Sequence, residues 1–208
     1  VDATGDTGSL TWAIDSGDTD SIFAINTGTG VITVDDNTDL DFESDESYDL
    51  AVSATDGTAA DTETITITIT NVNDMSPTDM ALSAASAAEN AAAGTDIGTL
   101  STTDGDASGN SHVYTLVTDS GGATAYSGTN FAIASGTAVL DVGSSPSFDY
   151  ETTTSYTVYV KVADGSNPAY VEGFTISITA VNDQTPTYSG GDVTPSVLEG
   201  TTAVDVFT

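Results

Sequence analysis

Apolar residues recur at every second position along much of this chain. Thr62 to Thr70 reads Thr-Glu-Thr-Ile-Thr-Ile-Thr-Ile-Thr, which puts Ile65, Ile67 and Ile69 on one face and threonines on the other. Tyr48, Leu50, Val52 and Ala54 repeat the pattern, as do Tyr156, Val158, Val160 and Val162, with Thr157, Tyr159 and Lys161 pointing outward. Phe174, Ile176, Ile178 and Ala180 make a fourth strand of this kind. Shorter strands are predicted at Leu10 to Ile14, Ser21 to Ile25, Val31 to Val34, Val113 to Val117, Phe131 to Ala134 and Val139 to Val142. Between them lie turn signals such as Asn26-Thr27-Gly28-Thr29-Gly30 and Ser108-Gly109-Asn110-Ser111. Many short strands with such punctuation predict an all-β, antiparallel sandwich with one buried face per sheet. The stretch Ala81 to Ala93 has a helix-like composition without a 3.6-residue period, and is read as an edge strand plus a turn.

Self-similarity sets the domain organisation. Leu40-Asp41-Phe42-Glu43, then Tyr48-x-Leu50-x-Val52-x-Ala54-x-Asp56-Gly57, then Asn71-Val72-Asn73-Asp74-Met75-Ser76-Pro77 form a first series. Phe148-Asp149-Tyr150-Glu151, then Tyr156-x-Val158-x-Val160-x-Val162-x-Asp164-Gly165, then Ala180-Val181-Asn182-Asp183-Gln184-Thr185-Pro186 repeat it in the same order. The second copy adds Glu89-Asn90 followed by Gly94-Thr95, and Asp104-x-Asp106 followed by Gly109-Asn110.

Charge narrows the chemistry. Of 208 residues, 32 are Asp or Glu against a single Lys and no Arg, a formal net charge of -31. Such a polyanion has no cations with which to neutralise phosphates, so nucleic acid and anionic membrane surfaces are excluded as partners. No Cys is present and His112 is the single histidine, which excludes disulfides, thiolate chemistry and Cys/His zinc sites. No apolar run reaches the length of a membrane-spanning helix, so direct membrane insertion is not expected. The acids read either as a solvated halophile-type surface or as ligands for a hard cation.

The repeated motifs resemble the cadherin repeat: an LDxE-type turn, a strand ending in Ala-x-Asp-Gly, and an NDxxP linker. The resemblance covers essentially the whole chain. It implies tandem seven-stranded Greek-key, Ig-like sandwiches joined end to end, with Ca²⁺ at each junction. Expected boundaries are 1–77 for a repeat lacking its opening strands, 78–187 for a complete repeat, and 188–208 for the opening strands of a further one. The implied junction between the copies draws Asp41 and Glu43 from the first copy. Asn73, Asp74 and the Val72 carbonyl come from the linker, and Asp104, Asp106, Asp164 and the Asn110 carbonyl from the second. Glu89, Asp149, Glu151, Val181, Asn182 and Asp183 are the corresponding ligands of the next junction. Asp6, Asp56 and Glu199 hold equivalent places in the incomplete copies. Asn71 stands where the family has Asp, which removes one charge. Ala180 stands at the matching position of the second linker, so that junction is expected to bind fewer ions or to bind them more weakly. A cluster of five or six carboxylates repels itself severely unless a cation sits in it.

Joining Thr208 to Val1 approximately restores one whole repeat, with Val197-Leu198-Glu199-Gly200-Thr201 as its start. The expectation is a circularly cut two-repeat unit of a longer array, completed by preceding sequence or by the tail of another copy through strand donation.

Other chemistry is poorly supported. His112 lacks a Gly-x-Ser-x-Gly elbow and is read as a surface or turn histidine. Paired carboxylates such as Asp35-Asp36 lie in turns rather than in a glycosidase cleft. Trp12 and Tyr114 fall at equivalent places in the copies and are read as core aromatics rather than sugar-stacking platforms. The expected function is therefore not enzymatic. It is a calcium-rigidified extracellular, cell-surface spacer or adhesion module of a long microbial protein, whose partners are neighbouring repeats or copies, with cell-surface or glycan ligands as further partners. The alternative is a filament subunit that polymerises by strand donation.

Overall fold

The computed structural model describes residues 9–106, 111–165 and 167–187, and every regular element in it is a strand. Asp6, Asn110 and Glu199, and the segment 188–208 expected to supply opening strands, lie outside the described residues. Five strands come from the first copy: β1 (Thr11–Ser16), β2 (Phe23–Ile25), β3 (Ile32–Val34), β4 (Ser47–Thr55) and β5 (Ala60–Thr68). Eight come from the second. These are β6 (Asp79–Leu82), β7 (Ser86–Ala88), β8 (Asp96–Thr103), β9 (Val113–Val117), β10 (Phe131–Ile133), β11 (Val139–Val142), β12 (Ser155–Ala163) and β13 (Tyr170–Thr179).

The second copy is a two-sheet sandwich, with strand order β10-β11-β8-β6 in one sheet and β7-β13-β12-β9 in the other. All pairings are antiparallel except β7 with β13. The first copy repeats part of this plan as β1-β4-β5 and β2-β3. Trp12 pairs with Ala54 in β4, and Tyr114 pairs with Val162 in β12, so the two aromatics occupy equivalent places. β11 pairs with β8, and β13 with β7. Among the described residues the equivalent edges of β3 and β5 carry no such neighbour.

Alternation produces the interiors. In β12, Val158, Val160 and Val162 are buried and meet Leu140, Val142, Ile176, Ile178 and Phe131 in one core. Leu50 and Val52 of β4 pack with Trp12, Ile22 and Phe23 in another. Trp12 is only 5% exposed, which confirms it as a core aromatic. Gly30, at φ +70°, turns beneath that indole, and a Cβ there would lie 2.9 Å from Trp12 Cδ2. Tyr114 is partly buried, with its hydroxyl 2.7 Å from Thr102 Oγ1.

Two elements differ from expectation. Ala81 to Ala93 supplies two short strands in different sheets, part of β6 and the whole of β7, before the turn at Asn90 (φ 61°). A chain crossing between sheets has too few residues in either for a period to show. β8 forms where the alternation predicts no strand. Its buried residues, Ile97 and Leu100, are three apart rather than two, and the pairing with β11 shifts register between Leu140 and Asp141.

That irregular pairing sets Asp141 against Asp96. Asp141 Oδ1 is shut from solvent with no hydrogen-bond partner. Burial first, and the Asp96 carboxylate second, hold the Asp141 pKa above the ordinary aspartate value of 3.8. A raised folded-state pKa makes ionisation costly, so the penalty builds as pH rises from 3.8 to that pKa, is complete above it, and is absent below 3.8, where both states are protonated. Asp141→Asn is expected to stabilise the fold at neutral pH by about 1 kcal/mol. Urea melts should show the gain disappearing by pH 3; an equal gain at both pH values would assign it to another cause.

Candidate metal centre

The centre is built on the segment that leaves β5 and enters β6. Three carboxylates from different parts of the chain converge there: Glu43 from the turn before β4, Asp74 from the linker, and Asp106 from the loop after β8, each offering an oxygen within 4.8 Å of the others. Asp106 is 7% exposed and accepts hydrogen bonds from the backbone N–H groups of Asp74 (3.3 Å) and Met75 (3.2 Å). Those bonds dock the linker onto the second copy. Pro77, which has no N–H to satisfy, is buried beyond them.

Asp106 also belongs to a second group, with Asp104 and Asp164. Asp164 caps the turn after β12, is 5% exposed, and accepts from the Asn167 backbone N–H at 3.0 Å. Asp104 Oδ1 accepts from the Asp106 N–H at 3.3 Å, and its Oδ2 lies 3.0 Å from His112 Nε2. The histidine is thus not a plain surface residue: it stands just before β9 with its ring 20% exposed, against a carboxylate 3% exposed. The sequence around His112 carries no periodic signal that predicts this contact.

A third group, Glu89, Asp149 and Glu151, lies at the far end of the second copy. Glu89 is 2% exposed and accepts from the Tyr150 N–H at 2.8 Å and from the Val181 N–H, which ties the second linker to this end. Asp183 accepts from the Asn90 side-chain amide beside it. Asn182 and Val181 are exposed.

The remaining expected ligands sit differently. Asp41 turns its oxygens onto its own turn, accepting from Ser44 Oγ at 2.8 Å and the Glu43 N–H at 3.0 Å, and these bonds, Ser44 first, hold its pKa below 3.8. Asp56 accepts from the Ala59 and Thr58 N–H groups at 2.7 Å each, which lowers its pKa in the same way. Among the described residues neither joins a group, although Asp149 and Asp164, their counterparts in the second copy, do; Asp6, the expected neighbour of Asp56, lies outside those residues. Val72 is 60% exposed and Asn71 half-buried. Asn73 Oδ1 accepts from Asn167 Nδ2 at 2.6 Å. The repeated motifs do not single out Asn167, because the matching turn of the first copy holds Ala59 at that place.

Carboxylate and amide oxygens with no sulfur and no lysine among them form a donor set for a hard cation. Lys161, the chain's single Lys or Arg, is elsewhere, its Nζ donating to the Gly122 carbonyl at 3.4 Å.

A family model for the cadherin domain matches residues 1–70 and 83–184. The chain belongs to the cadherin-domain family. It is 34% identical over 208 residues to the Drosophila melanogaster protocadherin-like wing polarity protein stan, covering 95% of this chain and 6% of that protein. It is 36% identical over 173 residues to human Protocadherin-1, covering 79% of this chain and 15% of that protein. Among solved structures, the extracellular cadherin domains 1–5 of Protocadherin Gamma B2 match with a TM-score of 0.55 and 27% identity, over 88% of this chain and 34% of that one. The EC1-2 fragment of chicken VE-cadherin matches with a TM-score of 0.66, over 86% of this chain and 88% of that one. At 17% identity that last likeness shows the fold alone. This cadherin chain spans only a small part of its curated relatives.

Proposed function

We propose that this chain is a calcium-stiffened pair of cadherin-type repeats, 1–77 and 78–187, within a longer extracellular adhesion or fibre protein. The observation that carries the reading is the convergence of Glu43, Asp74 and Asp106. One carboxylate each from the first copy, the linker and the second copy meet at a point, so a cation bound there ties all three together. Without a counter-charge the carboxylates repel, and the junction has no electrostatic reason to hold one angle. Ca²⁺ takes six to eight oxygens at about 2.3–2.6 Å, which the two adjoining groups and the linker oxygens would supply through Glu43, Asp74, Asp104, Asp106, Asp164 and Asn73. The expected affinity is that of extracellular modules, about 10⁻⁴–10⁻³ M. Glu89, Asp149 and Glu151 offer a second seam to whatever repeat follows, and Ala180 leaves that seam one donor poorer than Asn71 leaves the first. The partners are accordingly neighbouring repeats or copies of the same protein.

Calorimetry tests this. Binding to the folded state alone adds about 2.7 kcal/mol per ion when calcium stands at about a hundred times its dissociation constant. The melting temperature is expected to rise by several degrees between EDTA and 10 mM CaCl₂, and the radius of gyration from small-angle scattering to settle at one value. Superimposable melts and scattering curves in the two buffers would remove the calcium reading and leave the acids as a solvated surface.

A further inference from the structure

Three oxygens converge on the Asn167 side-chain nitrogen. Nδ2 donates to Asn73 Oδ1 at 2.6 Å, to the Met75 carbonyl at 2.7 Å and to Asp164 Oδ2 at 3.0 Å. A carboxamide nitrogen has two hydrogens, so three acceptors at these distances are one more than it can serve well. The oxygens come from two separate parts of the chain, the linker and the turn after β12. Asn73 is steered into this arrangement, because its own Nδ2 reaches the Asp164 carbonyl at 3.5 Å. The backbone N–H of Asn167 is held separately, on Asp164 Oδ1 at 3.0 Å. The side chain can therefore swing away by rotating about its χ angles while the turn stays in place. Asp164 also shares a group with Asp104 and Asp106, so the nitrogen stands at the edge of the acidic cluster.

Oxygens aimed at a common point, partly from carboxylate and partly from amide and backbone carbonyl, make the coordination a hard cation prefers. An N–H₂ group meets such a cradle with partial positive charge only, and satisfies it incompletely. We propose that the Asn167 carboxamide is a built-in occupant of one cation position at this junction, and that calcium entering there displaces it. The inference rests on the calcium reading above and goes beyond it. Asn167 braces the linker against the second copy when calcium is scarce, and weakens calcium binding by competing for the same oxygens. The first copy, with Ala59 at the matching place, has no such brace.

The test uses the full chain with Asn167→Ala and Asn167→Ser, titrated with CaCl₂ in metal-free buffer by isothermal calorimetry and melted in EDTA and in saturating calcium. Both variants are expected to bind calcium about tenfold more tightly at one site, the equivalent of one lost charge-assisted hydrogen bond. In EDTA they should melt below the unsubstituted chain, and in saturating calcium beside it, which also shows that they fold. Calcium affinity equal to or weaker than that of the unsubstituted chain would overturn the proposal, since Asn167 would then be a bystander or a positioning residue. If the unsubstituted chain itself takes up no calcium, the calcium reading fails and this proposal falls with it. Normal binding by that chain with unchanged variants would overturn this proposal and leave the calcium reading standing.

Discussion

Asp106→Asn is expected to abolish the calcium-dependent rise in melting temperature and to weaken calcium binding at the junction about 100-fold or more. Asp106 is the one side chain that belongs both to the group with Glu43 and Asp74 and to the group with Asp104 and Asp164. Changing even the outer partners of a metal ligand costs 10–100-fold in affinity, and a shared carboxylate ligand should cost at least the upper end of that range. The substitution keeps the side chain's size and one acceptor oxygen. It removes the negative charge and one of the two acceptors that hold the Asp74 and Met75 N–H groups. In EDTA the variant should still unfold cooperatively, because relief of carboxylate repulsion offsets part of the lost hydrogen bonding. Calorimetric titration checks the binding, and an affinity matching that of the unsubstituted chain would mean that Asp106 is structural only.

The second large effect lies in the interior. Leu140 is fully buried on β11, between Ile133 of β10 and Gly98 of β8, and faces the valines of β12 across the core. Leu140→Ala is expected to cost about 2–5 kcal/mol, from lost transfer free energy plus the cavity left where close-packed neighbours relax only partly. For a repeat of this size that lowers the melting temperature by about 10–30 °C. Leu140 is in none of the acidic groups, so the loss should be equal in calcium and in EDTA. Urea melts in both buffers check this against Asp106→Asn, whose loss should be much larger in calcium than in EDTA. A Leu140→Ala loss seen in calcium alone would show that the core and the junction are energetically coupled.

The strands that could be read from sequence were those with long, uninterrupted alternation. β4, β12 and β13 each carry three or more apolar residues at every second position and form where the pattern places them, while the strand expected at Thr62 to Thr70 forms as Ala60–Thr68, with Ile65 and Ile67 inside it and Ile69 just beyond. β8 escaped because a register shift breaks its period, and its two buried residues alone do not define a face. β6 and β7 were merged because neither is long enough to show a period of its own. At the junction, the repeated motifs named Glu43, Asp74, Asp104, Asp106 and Asp164, which the fold brings together. The same motifs also named Asp41, whose oxygens turn onto Ser44 and the Glu43 N–H, and Asp56, whose expected neighbour Asp6 lies outside the described residues. A short acidic side chain in a turn can bond to backbone N–H groups two or three residues ahead instead of facing a neighbour, and sequence does not say which. His112 and Asn167 were not legible at all, because their partners Asp104 and Asn73 reach them only through the tertiary fold.

Anomalous diffraction from crystals grown in millimolar CaCl₂ tests the central claim most directly. The account predicts a calcium peak about 2.3–2.6 Å from oxygens of Asp106 and of its neighbours in each group, joining the first copy, the linker and the second copy. Strong diffraction with no peak there, and with Glu43, Asp74 and Asp106 turned apart toward solvent, would contradict it.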